Sequence, residues 1–179
     1  MATTTGLTID DFERLPADVA QNHELVDGEL VEMSGNTPRH NLLRDRLLSL
    51  LLKWASDRDA ETVIAEQEFD FLGNAHGPDL SFFGTGKQKL LDLDKRVQRF
   101  VPDLAIEIAS ESDTYDGLLR KKERCLRAGT AEVWLISVQN REISSYAQGR
   151  DGILRVGDSL LTELLPGFSV AIEELFEGL

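Results

Sequence analysis

Residues 101–138 read VPDLAIEIASESDTYDGLLRKKERCLRAGTAEVWLISV, and this stretch decides the fold. Its first nine residues alternate, which predicts a strand with apolar side chains on one face and Glu107 on the other. A helix is predicted from about Asp113 to Ala128, because Gly129 is a residue type that commonly follows a helix end. EVWLISV (132–138) then predicts a buried strand. A strand–helix–strand unit of this kind implies a right-handed crossover between parallel strands.

The flanking segments add antiparallel elements. HELVDGELVEM (23–33) surrounds an Asp-Gly pair, which is typical of a type I′ hairpin. A long helix is predicted from Pro38, with a leucine-rich stripe. Strands are predicted at ETVIAEQEFDFL (61–72), PDLSFF (78–83) and REISSYAQ (141–148), with a polar connection at 84–100 and a turn at 149–152. The predicted fold is therefore of the α/β class, with a central mixed β-sheet flanked by helices.

Length and composition exclude several classes of protein. The chain has 179 residues, of which 41% are hydrophobic and 28% charged, so a single domain over residues 1–179 with a sizeable core is expected. One cysteine, Cys125, excludes an intramolecular disulfide, and scattered histidines argue against a zinc site. No apolar run approaches the roughly 20 residues needed to cross a bilayer. The N-terminus lacks the pattern of a secretory signal, so a soluble cytoplasmic protein without a membrane partner is expected.

The charge is strongly negative but unevenly distributed. The formal net charge is −13, which taken alone argues against a nucleic-acid partner. The acids dominate both ends, whereas most bases fall in three clusters, at 39–58, 87–99 and 120–127. These clusters are either solvated faces or a local basic surface. If the partner is nucleic acid, a cleft should be lined by some of Arg39, Arg44, Arg46, Lys87, Lys89, Arg120 and Arg124.

Two carboxylates are candidates for chemistry. Asp79 opens one predicted strand, and Glu107 lies within another that is otherwise apolar. A buried, unpaired carboxylate costs several kcal/mol (about 2–7 for a polar group, more for a charge) unless a cation lies beside it. A divalent metal or a lysine of the next helix, Lys121 or Lys122, would relieve that cost. Two carboxylates, a hard metal and a lysine suffice to hydrolyse a phosphodiester. The alternative is a buried acid in a structural ion pair.

The chain resembles the Uma2 family. The matching stretches follow in order along almost the whole chain: ELVDGEL (24–30), His40, PDLSFF (78–83), PDLAIEIASESD (102–113), Lys121, AG (128–129), EVWLI (132–136) and LLPGFSV (164–170). That family is placed with the restriction-endonuclease-like fold of the PD-(D/E)xK nuclease superfamily. The resemblance implies that fold and the reaction class of a metal-dependent endonuclease.

The resemblance also implies site residues. Asp79 and Glu107 match the two acids and are expected to hold the metal, and Lys121 matches the catalytic lysine, as the base or the water-positioning group. The superfamily places a lysine two residues after the second acid, where this chain has Ala109, so the lysine is expected to have moved onto the helix. The helical phase favours Lys122 instead, so Lys121 is predicted from the family spacing and Lys122 is the alternative.

Other residues are accessory candidates. His40 could reach the site or serve the helix start, and Glu24 could be a further acid or a hairpin residue. Asp103 shares a face with Glu107, although its place after a proline favours a role where the strand begins. His76 lies near Asp79 in a glycine-rich loop and is expected to be a plain loop residue, the alternative being a ligand. Cys125 is expected to fill the core, the alternative being a thiol of lowered pKa near Lys121.

The leading hypothesis is an endonuclease that depends on Mg²⁺ or Mn²⁺ and acts on DNA. The alternative is a catalytically silent member of the same fold that serves as a binding or assembly module. A homodimer, with the apolar helix facing a partner copy, is compatible with either. Phosphate-binding glycine motifs are absent from the sequence, which argues against nucleoside triphosphate or dinucleotide chemistry.

Overall fold

The computed structural model describes residues 6–33, 35–58, 61–110, 113–147 and 149–179. The helices in these ranges are α1 (Ile9–Glu13), α2 (Ala17–Ala20), α3 (Pro38–Ala55), α4 (Thr85–Gln88), α5 (Tyr115–Ala128) and α6 (Ile172–Leu175). The strands are β1 (His23–Val26), β2 (Glu29–Glu32), β3 (Thr62–Ala65), β4 (Glu68–Asp70), β5 (Ala75–His76), β6 (Leu80–Phe83), β7 (Val97–Gln98), β8 (Leu104–Ala109), β9 (Glu132–Ser137), β10 (Glu142–Ala147), β11 (Arg150–Leu154), β12 (Ser159–Leu160) and β13 (Val170–Ala171).

The predicted crossover unit is confirmed. Strands β8 and β9 pair in parallel, from Leu104 opposite Glu132 onward. Helix α5 connects them and begins after Thr114, whose hydroxyl accepts a hydrogen bond from the Gly117 N–H at 3.1 Å. It ends at Gly129, whose φ of 106° is left-handed and favours glycine.

The large sheet sets the relative position of the two candidate carboxylates. Its strand order among the described residues is β11-β10-β9-β8-β6-β3. Strands β6 and β8 are antiparallel, with Leu80 opposite Ile106. One step further in the same register, Asp79 lies opposite Glu107. Directly opposed residues of neighbouring strands point to the same face.

A second sheet has the order β2-β1-β5-β4-β7, and β12 and β13 form a separate pair. The β1–β2 hairpin turns at Asp27 and Gly28, whose φ values of 51° and 83° fit the predicted type I′ turn. The prediction of one strand over 61–72 is wrong. Glu66 has a φ of 55°, which interrupts the strand, so β3 joins the large sheet and β4 joins the second sheet.

Two further expectations need correction. The predicted polar connection at 84–100 contains α4 and β7. These elements are too short for a helical or strand period to be visible in the sequence. The predicted turn at 149–152 is tighter than expected, because β11 already begins at Arg150. Gln148, the last residue of the predicted strand before it, lies outside the described residues.

Helices cover the two faces of the large sheet. The apolar stripe of α3, which includes Leu47 and Trp54, packs with the Ile106 face of β8. Cys125 of α5 packs with Ala105 on the opposite face. The α3 stripe is thus covered within the chain. No helix in the described ranges is long and apolar enough to cross a membrane.

Candidate active site

The site residues surround a cleft of about 910 Å³ where β6 begins and β8 ends. The large sheet contributes Asp79 and Glu107, and the second sheet contributes Glu24. The first turn of α3 contributes His40, and the middle of α5 contributes Lys121. The structure therefore brings these five predicted residues to one place, although they come from five separate stretches of the chain.

Asp79 is held from two sides. Its Oδ2 accepts a hydrogen bond from the Ile108 N–H at 2.7 Å, and its Oδ1 lies 3.2 Å from His40 Nε2. His40 is placed by the first turn of α3, where its N–H donates to the Thr37 hydroxyl at 3.3 Å. Burial acts against a charged His40 imidazole, but the hydrogen bond to Asp79 and the charge of Asp79 outweigh burial and raise the pKa of His40.

Glu107 is a buried carboxylate without a firm partner. Its side chain is only 8% exposed, and its Oε1 has no hydrogen-bond partner among the described residues. Burial, followed by the charges of Asp79 and Asp113, raises the pKa of Glu107 to about 7, against the opposing charges of Lys121 and Arg124. Near neutral pH this group is therefore poised between its two protonation states.

Lys121 faces the cleft and Lys122 does not. The Nζ of Lys121 lies 2.9 Å from Oε1 of the buried Glu24. Burial opposes its charge, but the charges of Glu107 and Glu24 outweigh burial and raise the pKa of Lys121. Lys122 instead pairs with Glu123 at 2.7 Å and lies 4.5 Å above the Tyr146 ring. The lysine in the cleft is therefore Lys121, which the family spacing predicted, and not Lys122, which the helical phase favoured.

Two of the candidate residues, Asp103 and Cys125, do not contribute a reactive group to the cleft. Asp103 does not line the cleft: it accepts from the Gly84 N–H at 2.9 Å and pairs with Lys87 at 2.6 Å, as expected where a strand begins. Cys125 is completely buried, and burial raises the pKa of its thiol, so the alternative of a lowered pKa is wrong.

Only part of the predicted basic rim lines the cleft. Arg120 and Arg124 do so, whereas Arg39, Arg46, Lys87 and Lys89 do not, and Arg44, also outside the lining, pairs with Glu66. Among those outside, Arg46 donates to the Leu175 carbonyl and Lys87 pairs with Asp103. Arg96, which the prediction missed, does line the cleft and pairs with Glu68.

His76 lies beside the site, and its prediction as a plain loop residue is wrong. It is completely buried on β5, with its ring stacked on Phe71 at 4.2 Å. Its Nε2 lies 3.5 Å from Glu107 Oε1 and 3.7 Å from Cys125 Sγ. Burial lowers the pKa of His76 to about 3, so the ring is neutral at pH 7. A two-residue strand is too short to show a periodic pattern. The closeness of His76 to Asp79 in sequence was the one signal that pointed to His76.

The donor set fits a hard divalent cation. Glu107 offers a buried oxygen without a hydrogen-bond partner, and Asp79 lies beside it in register. Within the described residues, no three His, Cys, Asp or Glu side chains form a metal-binding group of their own. Mg²⁺ is commonly held by one or two carboxylates, with water and substrate phosphate as its other ligands. Two carboxylates therefore suit Mg²⁺ or Mn²⁺ better than a metal that needs a closed cage of side chains.

Comparison with known proteins agrees with the sequence resemblance. A crystal structure described as that of a "putative nuclease belonging to DUF820" from Anabaena variabilis superposes with a TM-score of 0.83 at 19% identity, covering 95% of this chain and 97% of that one. This likeness confirms the expected fold. A search of curated proteins finds no match. The sequence profile of the Uma2 family, described as "Putative restriction endonuclease", matches residues 9–173, and the chain therefore belongs to the Uma2 family.

Proposed function

We propose that this protein is a nuclease that uses Mg²⁺ or Mn²⁺ to hydrolyse phosphodiester bonds of DNA. The observation that carries the proposal is the meeting of Asp79, Glu107 and the Lys121–Glu24 pair in one cleft, where β6 begins and β8 ends. The family description and the relative from Anabaena variabilis both name a nuclease, which supports the same reaction class.

Asp79 and Glu107 would hold the cation. A divalent cation held there would polarise the phosphate and would make a nearby water more acidic. His40 and the Ile108 N–H orient the Asp79 carboxylate, so that its remaining lone pairs are presented in a constant direction. Glu107 must be ionised to bind, and a cation would favour its ionised form against the effect of burial.

Lys121 would act as a fixed positive charge. Its raised pKa keeps the ammonium protonated at neutral pH, which favours a role in positioning water or stabilising charge on the phosphate over the role of a general base. Glu24 holds the ammonium in place through the 2.9 Å ion pair. The proposal therefore retains the water-positioning role for Lys121 and drops the role of base.

The test is nicking of supercoiled plasmid by the purified protein with Mg²⁺, with Mn²⁺ and with EDTA. Activity is expected with either metal and not with EDTA. Asp79→Asn, Glu107→Gln and Lys121→Met should each lower the rate by at least 100-fold. Lys122→Met is the matched control, because that neighbouring lysine points to Glu123 and Tyr146 and should retain the rate within about twofold. Equal loss in both lysine variants would contradict the assignment.

A catalytically silent binding module is the second candidate. The observation in its favour is the acidity of the cleft, whose lining carries seven carboxylates and four Arg or Lys side chains. A binding module needs no metal. If wild type shows neither cleavage nor stabilisation by Mg²⁺ or Mn²⁺, this candidate replaces the nuclease.

A further inference from the structure

The positive charge available to a polyanion in the cleft is small. Of the four basic residues on its lining, Lys121 is paired with Glu24 and Arg96 with Glu68. Arg120 and Arg124 form no ion pair within 4 Å among the described residues. They lie one turn apart on α5 and therefore point in a similar direction. Two guanidinium groups that form no ion pair with another described residue can contact about two phosphates.

A DNA duplex matches this surface poorly. Duplex DNA carries one negative charge per about 1.7 Å of its axis, and proteins that bind it commonly contact about 6–10 phosphates. On this lining, Arg120 and Arg124 are the two basic side chains without an ion pair to the described part of the chain, and carboxylates outnumber basic side chains. A long duplex laid across the cleft would meet more negative than positive charge, even after one divalent cation is bound.

Two apolar side chains of the β1–β2 hairpin region lie among the polar residues that line the cleft. Val31 lies directly across the β1–β2 hairpin from Glu24, and both therefore face the cleft. Met33 follows two residues later on the same face and also lines the cleft. Val31 and Met33 are 44% and 41% exposed, so both are accessible to a ligand in the cleft. Flat apolar ligand surfaces, such as unpaired nucleobases, could cover them.

The size of the cleft agrees with a small ligand segment. Its volume of about 910 Å³ lies within the range of about 300–1,000 Å³ for pockets that hold small organic ligands. Such a space accommodates a short stretch of one strand.

We infer that the cleft takes a single-stranded or frayed segment of nucleic acid, with unpaired bases against Val31 and Met33 and one or two phosphates on Arg120 and Arg124. In a duplex the bases are stacked and paired, so their faces are not available to the hairpin. That the bound strand is then cleaved rests on the proposed nuclease function. The preference for a single strand is a property of binding and can be measured without cleavage.

The experiment measures fluorescence anisotropy of a labelled 12-nucleotide oligodeoxythymidine and of its duplex with oligodeoxyadenosine. The protein is the Glu107→Gln variant in Mg²⁺, which the proposed function makes unable to cleave. The single strand should bind at least tenfold more tightly than the duplex. The slope of log affinity against log salt should be about −0.7 to −1.4, as expected for one or two phosphate contacts with a single strand.

Variants separate the two contacts. Val31→Ser combined with Met33→Ser should weaken single-strand binding about tenfold and leave the salt slope unchanged. Arg120→Gln should reduce the steepness of the slope by about 0.7. Ile153→Ser is the matched control, since Ile153 is an aliphatic residue on the edge strand β11 that is 51% exposed and far from the lining, and it should not change binding. Thermal melts verify that each variant is folded.

Tighter binding of the duplex, a slope steeper than about −4, absence of binding to either probe, or an unchanged affinity in the Val31/Met33 variant would overturn the inference. These outcomes differ from a failure of the proposed function. A wild-type protein that binds single strands but cleaves nothing with any metal contradicts the nuclease proposal alone. A wild-type protein that prefers to cleave duplex contradicts the single-strand inference alone.

Discussion

At the scale of single residues, Glu107 combines burial with the absence of a hydrogen-bond partner at one of its oxygens. A charged carboxylate in such surroundings lowers the stability of the folded protein, which explains why its pKa is raised to about 7. Residues that bind metal or act in catalysis often carry such a cost in stability. The features that destabilise the charge, burial away from bulk water and an unpartnered oxygen, also leave that oxygen available to a ligand.

Glu107→Gln should therefore stabilise the metal-free protein in a pH-dependent way. The unfolded carboxyl titrates near 4.3 and the folded one at about 7, so the folded state binds more protons between these values. Wild type should lose stability relative to the variant as the pH rises from about 4.5 to 7, by an amount on the order of 2–3 kcal/mol. Chemical denaturation in EDTA at several pH values measures it. A Glu107→Gln protein that is less stable by about 3–5 kcal/mol would instead indicate a structural ion pair.

His76 is expected to orient Glu107. Its Nε2 lies 3.5 Å from Glu107 Oε1, a contact that gives this oxygen no hydrogen bond but limits how far the carboxylate can move. His76→Phe keeps a ring against Phe71 and removes that nitrogen. Binding of Mn²⁺, measured by calorimetry, should weaken about tenfold or more, as for other residues that orient metal ligands.

Phe71→Leu is the control for His76, because it keeps the imidazole and removes its stacking partner. It should lower stability while affecting Mn²⁺ binding much less. Equal weakening in both variants would show that His76 acts only through packing.

At the scale of elements, the short segment from β5 to β6 determines where His76 and Asp79 lie. Gly77, between them, passes close to the turn after β3: a Cβ at this position would lie 3.0 Å from the Glu66 carbonyl oxygen. That turn is tied to the segment by the Glu66 N–H, which donates to the Asp79 carbonyl at 3.2 Å. Glycine therefore permits a close approach of two backbone segments that places the carboxylate.

Gly77→Ala should lower the free energy of unfolding by about 1–3 kcal/mol, because the added methyl group meets backbone atoms that cannot move independently. It should also lower nuclease activity, since Asp79 is displaced. Gly152→Ala is the matched control: it lies in β11 with no atom within 4 Å of an added Cβ, and it should change stability by less than about 1 kcal/mol. Denaturant melts measure the free energy of unfolding of both variants. An equal change in the two would contradict the role of Gly77.

At the scale of the whole molecule, the protein is acidic and its candidate metal ligands lie within a negative cleft. The net charge is −13, and the lining of the cleft follows the same trend. A divalent cation that binds only the folded state is expected to stabilise it by mass action, in addition to reducing the repulsion among these carboxylates.

Wild type should therefore melt at a higher temperature in Mg²⁺ than in EDTA, with a gain of about 2.7 kcal/mol at a concentration 100 times the dissociation constant. Asp79→Asn and Glu107→Gln should lose this gain. Lys122→Met, which is remote from the ligands, should keep it. Calorimetric melts over a series of Mg²⁺ concentrations at constant ionic strength measure this gain in stability. An equal gain in all variants would indicate nonspecific screening of charge.

The sequence by itself determined the features that depend on local periodicity. Alternation along 101–109 predicted β8 with Glu107 opposite its apolar face, and the helix that follows predicted the parallel crossover. The family resemblance pointed to Asp79 and Lys121. Such signals are readable because neighbouring residues of one strand or helix share a geometry whatever they pack against.

Only the tertiary structure decided which side chains complete the site. Lys121 and Lys122 are adjacent on one helix, and the choice between them depends on where the second sheet places Glu24. His76 lies on a two-residue strand without a period, and Arg96 follows a stretch with no pattern. These residues meet Glu107 and its neighbours across long separations in sequence. No local rule encodes such contacts, because they arise from the packing of one sheet and one helix against another.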